Sequence, residues 1–241
     1  MSEISALALL ESQPAWINRA ARSAFFGTVP VKSVANRPMG GSADNVFSRG
    51  SRSATVISMS IIPDDKDWTW VLVRPCLDCG FDASHWDVEK TPQLVAQFTD
   101  AWLKILLRPD VTVRPSPQRW SPLEYACHVR DVFRLFSFRL QSMVAEDGAH
   151  FENWDQDQTA IDDRYDLQDP TVVAHELAIA GEDLAAQFAR VSGPLWTHKG
   201  IRSNGSEFTI ATFAIYFAHD PFHHLWDVES DFVVDPTGEE S

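Results

Sequence analysis

His219 and His223 stand four residues apart in the run Tyr216-Phe217-Ala218-His219-Asp220-Pro221-Phe222-His223-His224-Leu225-Trp226-Asp227. On an α-helix, residues at that spacing lie one above the other on a single face, about 5–6 Å apart. Two imidazoles so placed among aromatic residues can grip one divalent cation. His128 lies in another amphipathic segment, three residues after Tyr125 and four before Val132, so it too is expected to face inward. A neutral imidazole is costly to bury unless both nitrogens find partners, and a metal on one nitrogen with a carboxylate or carbonyl on the other meets that need. The candidate ligands are therefore His128, His219 and His223. Glu124, Asp220, His224, Trp226 and Asp227 are near enough in sequence to support or wall such a site. Taken singly, a histidine on an apolar face is usually a core residue satisfied by hydrogen bonds, and His-x-x-x-His also occurs by chance.

Cys76 and Cys79 form a Cys-x-x-Cys pair followed by Gly80, the spacing of half a zinc knuckle, with no second such pair in the chain. Three readings stay open: a redox-sensitive dithiol, a metal site completed by a distant residue such as His85, or two ordinary loop cysteines. Cys127 adjoins His128 but points about 100° away from it on a helix, which favours a small packed side chain. Arg130 and Asp131 follow closely and read as substrate contacts or, the favoured reading, as a surface ion pair.

Four amphipathic segments must position these groups. The first opens at Thr91-Pro92 and sets Leu94, Val95, Phe98, Trp102, Ile105 and Leu106 on one face. The second opens at Ser121-Pro122, with Glu124 completing a capping box, and carries Tyr125, Val129, Phe133, Phe136 and Leu140. The third opens at Asp169-Pro170 and carries Val173, Leu177, Leu184 and Phe188; the fourth begins near Thr209 and runs through the histidines. Pro221 falls inside the fourth and frees the carbonyl of Phe217, which predicts a kink beside the ligands. A long acidic connection, residues 146–168 with Trp154 inside it, reads as a solvated linker, and Thr197 to Phe208 reads as a hairpin turning at Asn204-Gly205. Trp68 to Val73 reads as a short strand or extended segment. Four apolar-faced helices bury their stripes most simply as an all-α four-helix bundle. The expected organisation is thus a leader or over-called start over residues 1–58, an extended Cys-x-x-Cys segment over 59–87, the bundle over 88–230, and an acidic tail over 231–241.

The 241-residue chain carries a formal charge of −14. Residues 1–58 hold six basic and three acidic side chains, a net +3, which leaves −17 for the remainder. Such an acidic body repels phosphate backbones and argues against nucleic acid or an anionic membrane as partner. No apolar run is long enough to span a bilayer. Three cysteines make no disulfide framework and no secretory apolar core is visible, so a reducing cytoplasm is the expected compartment.

Arg119-Trp120-Ser121-Pro122-Leu123-Glu124-Tyr125-Ala126-Cys127-His128, taken with the late His219-x-x-x-His223, resembles the DinB-like superfamily, which includes YfiT-type proteins and thiol-dependent S-transferases. The resemblance spans about residues 88–230. It implies a four-helix bundle in which one histidine of the second helix and two residues of the fourth hold a divalent metal, zinc or nickel. It also implies a low-molecular-weight thiol, of the mycothiol or bacillithiol type, as co-substrate toward a small electrophile, and pairing into homodimers. Metal-dependent hydrolysis and a non-catalytic metal- or thiol-sensing role are the alternatives to thiol S-transfer.

Overall fold

Capping chemistry sets where the long helices begin. The computed structural model describes Ile61 and residues 66–229, so the leader over 1–58 and the acidic tail over 231–241 lie outside the described residues. In chain order the elements are α1 (Thr91–Leu106), α2 (Pro122–Ala145), β1 (Ala149–Phe151), α3 (Gln156–Asp162), α4 (Pro170–Phe188), β2 (Lys199–Arg202), β3 (Glu207–Thr209) and α5 (Ile210–Val228), with short 3-10 turns between them. Ser121 and Glu124 form the expected capping box on α2, and the Asp169 carboxylate accepts from the backbone N–H groups of Thr171 and Val172 on α4. Thr209 caps α5 in a box with Thr212. α1 opens differently: Thr91 is its first helical residue, and its hydroxyl donates to the Val88 carbonyl at 2.6 Å instead of capping the helix.

α4 packs against α1 and α2, and α5 contacts the same two helices. The shared core is aromatic-rich, with Phe98 and Trp102 of α1, Phe133 of α2, Phe188 of α4, and Phe213 and Phe217 of α5 all buried. This is the four-helix bundle the hydrophobic stripes require. α1 and α4 approach closely because Gly181 carries no side chain: a Cβ there would collide with Thr99. The hairpin forms as expected, with Gly200 opposite Phe208 in antiparallel register and Gly205 at φ +90° in the turn. β1 adds a third, parallel strand that the sequence pattern did not reveal, because three residues carry too little periodicity. No helix among the described residues is long and apolar enough to cross a membrane.

Three expectations are corrected. Trp68–Leu72 is a 3-10 turn, not a strand. The Asp67 carboxylate accepts from Thr69 N–H at 3.0 Å and Trp68 packs on histidines of α5, while the segment joins none of the three strands. The acidic connection is not merely solvated: it contains β1, α3 and a 3-10 turn over Tyr165–Leu167, and Tyr165 is fully buried. Arg130 and Asp131 are buried, not a surface pair. The Arg130 guanidinium clasps Asp131 through two hydrogen bonds of 2.9 Å and donates to Gln168 at 2.7 Å and Glu176 at 2.9 Å. The Tyr165 hydroxyl donates to the same Asp131 carboxylate at 2.6 Å. This network ties α2, α4 and the connection together behind His128, with partners too distant in sequence to be foreseen.

Gly181→Ala is expected to cost about 1–3 kcal/mol through overpacking. Thr99→Ala in the same chain should recover part of that loss, as a urea-unfolding double-mutant cycle would register. Strict additivity of the two substitutions would contradict this helix contact.

Candidate metal centre

Each residue of an α-helix turns about 100° from the last. Along α5, His219 and His223 therefore form one stripe, and Asp220 and His224 form the next. The structure sends the two stripes to different neighbours. His219 and His223 converge with Cys76 and Cys79, and Asp220 and His224 converge with His128; within each group the ligand atoms lie within 4.8 Å of one another. The expected trio of His128, His219 and His223 is thus divided between two groups. Asp220 and His224, expected as supporting residues, take the places beside His128. α5 runs on through Pro221 as one helix.

His128 is buried, and Asp220 and His224 are half-buried beside it. His128 Nε2 and Asp220 Oδ1 lie 3.3 Å apart, and neither atom makes a hydrogen bond of sound geometry. Both nitrogens of His128 are inaccessible to solvent. Zinc bonds of about 2.0–2.1 Å put two ligand atoms of one tetrahedral ion about 3.3 Å apart, so the separation of these two atoms suits a common cation. His224 is held by its other nitrogen: Nδ1 lies 2.9 Å from the Asp227 carboxylate, which leaves Nε2 turned toward Asp220 at 3.9 Å. Arg119 in turn binds Asp227 at both its backbone carbonyl and its carboxylate. Burial works to raise the Asp220 carboxyl, yet the imidazoles of His128, His224 and His219 outweigh it and hold it down at about 2. Asp227 is also held below the usual carboxylate range, burial being outweighed by its bond to His224. The donors at neutral pH are a carboxylate and imidazoles, a set that suits zinc or nickel.

Aromatic rings fix the orientation of His128. Trp154 stacks on it with centroids 5.3 Å apart and planes 6° from parallel, and Trp120 lies 5.5 Å away. Trp154 is itself held by α3, its indole N–H donating to the Thr159 hydroxyl at 2.8 Å. The acidic connection therefore supplies a wall of the site. Tyr125 packs on His224 at 5.0 Å.

In the other group, Cys76 Sγ lies 3.6 Å from His223 Nδ1. Burial and the neighbouring His223 push the His219 imidazole down to about 3, and burial with His224 lowers His223, so both rings are neutral near pH 7. Burial pushes the Cys79 thiol up to about 12, with Cys76 beside it adding to the effect. Trp226 packs against His223 at 5.6 Å. His85 lies on a surface 3-10 turn and joins neither group. Glu124 is committed elsewhere, to the Ser121 cap and to two hydrogen bonds from Arg114, so it does not reach the histidines. Cys127 is buried as expected, its thiol pushed up to about 12 by burial.

A cavity of about 240 Å³ opens over both stripes of α5, with Trp68, Trp120, Tyr125, Arg119 and Lys66 among its walls. A family model for the DinB superfamily matches residues 88–228. The chain belongs to the DinB superfamily. Among solved structures, YfiT from Bacillus subtilis, described as a probable metal-dependent hydrolase with an unusual four-helix bundle topology, is similar in fold at a TM-score of 0.51 and 10% sequence identity. The similarity covers 59% of this chain and 87% of that one. No curated protein matches the chain. The match begins at residue 88 and so takes in His128 and α5 but leaves out Cys76 and Cys79.

Trp154→Ala should weaken metal binding at the His128 group roughly 10-fold or more, the usual cost of losing a side chain that orients a ligand. Isothermal titration with cobalt measures it, and an unchanged affinity would show that the stacking does no orienting.

Proposed function

We propose that this DinB-superfamily chain is a divalent-metal-dependent enzyme in which His128, Asp220 and His224 hold the ion and a low-molecular-weight thiol is activated to attack a small electrophile. The carrying observation is a three-donor set, two members of which, Asp220 and His224, line a cavity of about 240 Å³. Three protein donors leave a position for an exchangeable ligand, as catalytic sites do and structural ones do not. When bound, the ion serves as a Lewis acid that lowers the pKa of a coordinated thiol or water.

The chain's own residues prepare that position. Asp227 binds the far nitrogen of His224 and turns the near one inward, while the paired tryptophans hold His128 fixed. One carboxylate and two neutral imidazoles leave a divalent ion with one unit of positive charge, and an anionic nucleophile brings the site to neutrality. Trp68, Trp120 and Tyr125 give the cavity apolar walls that limit water. Arg119, held by Asp227, and Lys66, over the Trp68 ring, also line the cavity. Family membership supports the thiol as nucleophile. Hydrolysis would use the same residues with water in its place, and the description of YfiT favours that second reading.

Zinc- or nickel-loaded protein, assayed on an activated aryl halide with and without mycothiol, bacillithiol or a cysteine-derived thiol, separates the two. Thiol-dependent turnover is expected, and His224→Ala or His128→Ala should each lower it by more than about 100-fold, beyond the loss usual for an outer-shell partner. Turnover of esters or amides indifferent to thiol would replace transfer with hydrolysis. Full activity in the His128→Ala protein would refute the site.

A further inference from the structure

We propose that Cys76, Cys79, His219 and His223 hold a second divalent ion, zinc, in a closed structural site separate from the His128 group. All four side chains bring a ligand atom within 4.8 Å of the others. Zinc bond lengths of about 2.0–2.3 Å put neighbouring ligand atoms of a tetrahedron about 3.3–3.8 Å apart. The 3.6 Å between Cys76 Sγ and His223 Nδ1 falls in that range. Two sulfurs and two imidazole nitrogens select zinc over calcium or magnesium, and four protein ligands leave no position for a substrate.

The backbone around the cysteines is shaped for this. Cys76 N–H donates to the Phe81 carbonyl at 2.8 Å, and Gly80 N–H donates to the Cys76 carbonyl at 2.9 Å. Gly80 sits at φ +77°, a left-handed conformation that glycine adopts without penalty, and the chain reverses there so that both sulfurs face the same way. The helix supplies the other half through its four-residue spacing. His219 Nε2 is buried and has no hydrogen-bond partner, an expensive arrangement that an ion would relieve. Trp68 and Phe81 pack on the His219 ring at 5.1 and 5.2 Å. Two thiolates neutralise a divalent ion, so the site carries no net charge and tolerates these apolar surroundings.

The ion would staple the Cys-x-x-Cys segment to α5, and with it Trp68, which walls the cavity. This places the segment in the architecture of the bundle although the family match excludes it. On metal-free full-length protein, cobalt titration should give two equivalents, one with near-ultraviolet thiolate-to-cobalt absorption. Cys76→Ser/Cys79→Ser should lose that absorption and one equivalent, and His224→Ala should lose the other equivalent while keeping the absorption. In the unaltered chain, iodoacetamide should modify Cys76 and Cys79 only after chelation of the metal. That last measurement needs no variant to fold. A single equivalent without sulfur absorption would overturn the proposal. So would unprotected cysteines in metal-loaded protein, or a Cys76–Cys79 disulfide that persists when metal is supplied under reducing conditions. Loss of only the His224-dependent equivalent would count against the proposed enzyme site and leave this one standing.

Discussion

The rotation of about 100° between successive residues of α5 is the constraint on which the rest depends. It converts one short run, His219-Asp220-Pro221-Phe222-His223-His224, into two diverging pairs of donors. The phase of the helix is set from its other turns. Phe213 and Phe217 are buried against aromatic rings of α2 and α4, and Thr209 with Thr212 fixes the first turn. Once those rings are seated, His219 and His223 can only meet what lies on the side of the Cys-x-x-Cys segment, and Asp220 and His224 can only meet α2. Rotation by one residue would turn one pair into the direction the other now takes and carry the second pair away from both neighbours.

Both groups break the ordinary rule that buried polar atoms are paired. Four of the unpartnered buried atoms belong to His128, His219 and Asp220. Local violations of this kind concentrate where a chain binds something. The two groups differ in charge as well as in shape. A divalent ion among two thiolates and two imidazoles is neutral and closed, whereas one beside Asp220 and two imidazoles keeps a positive charge and an open side. Under the proposed reading, structural and reactive chemistry fall on adjacent stripes of one helix, and Trp68 touches His223 as well as the cavity.

Much of the bundle was legible in the sequence because its signals are local. Ser121 with Glu124, Asp169 with Pro170, and Asn204-Gly205 each act within a few residues. The inward position of His128 followed from its spacing to Tyr125 and Val132. What escaped depends on contacts that spacing does not encode. Asp220 and His224 have the same four-residue separation as His219 and His223, so the helix periodicity alone could not say which pair faces α2. The choice is made by tertiary phase. Cys76 lies 147 residues from His223, too far for either half of that group to announce the other. Trp154 and Tyr165 sit in a stretch whose acidity suggested solvent, yet their rings are fixed by Thr159 and Asp131.

Anomalous diffraction at the zinc edge, on crystals of the full-length protein grown with zinc, tests the division of α5 most directly. Two peaks are expected for each chain, one among Cys76, Cys79, His219 and His223 and the other among His128, Asp220 and His224. A lone peak shared by His128, His219 and His223, with the sulfurs uncoordinated, would contradict it.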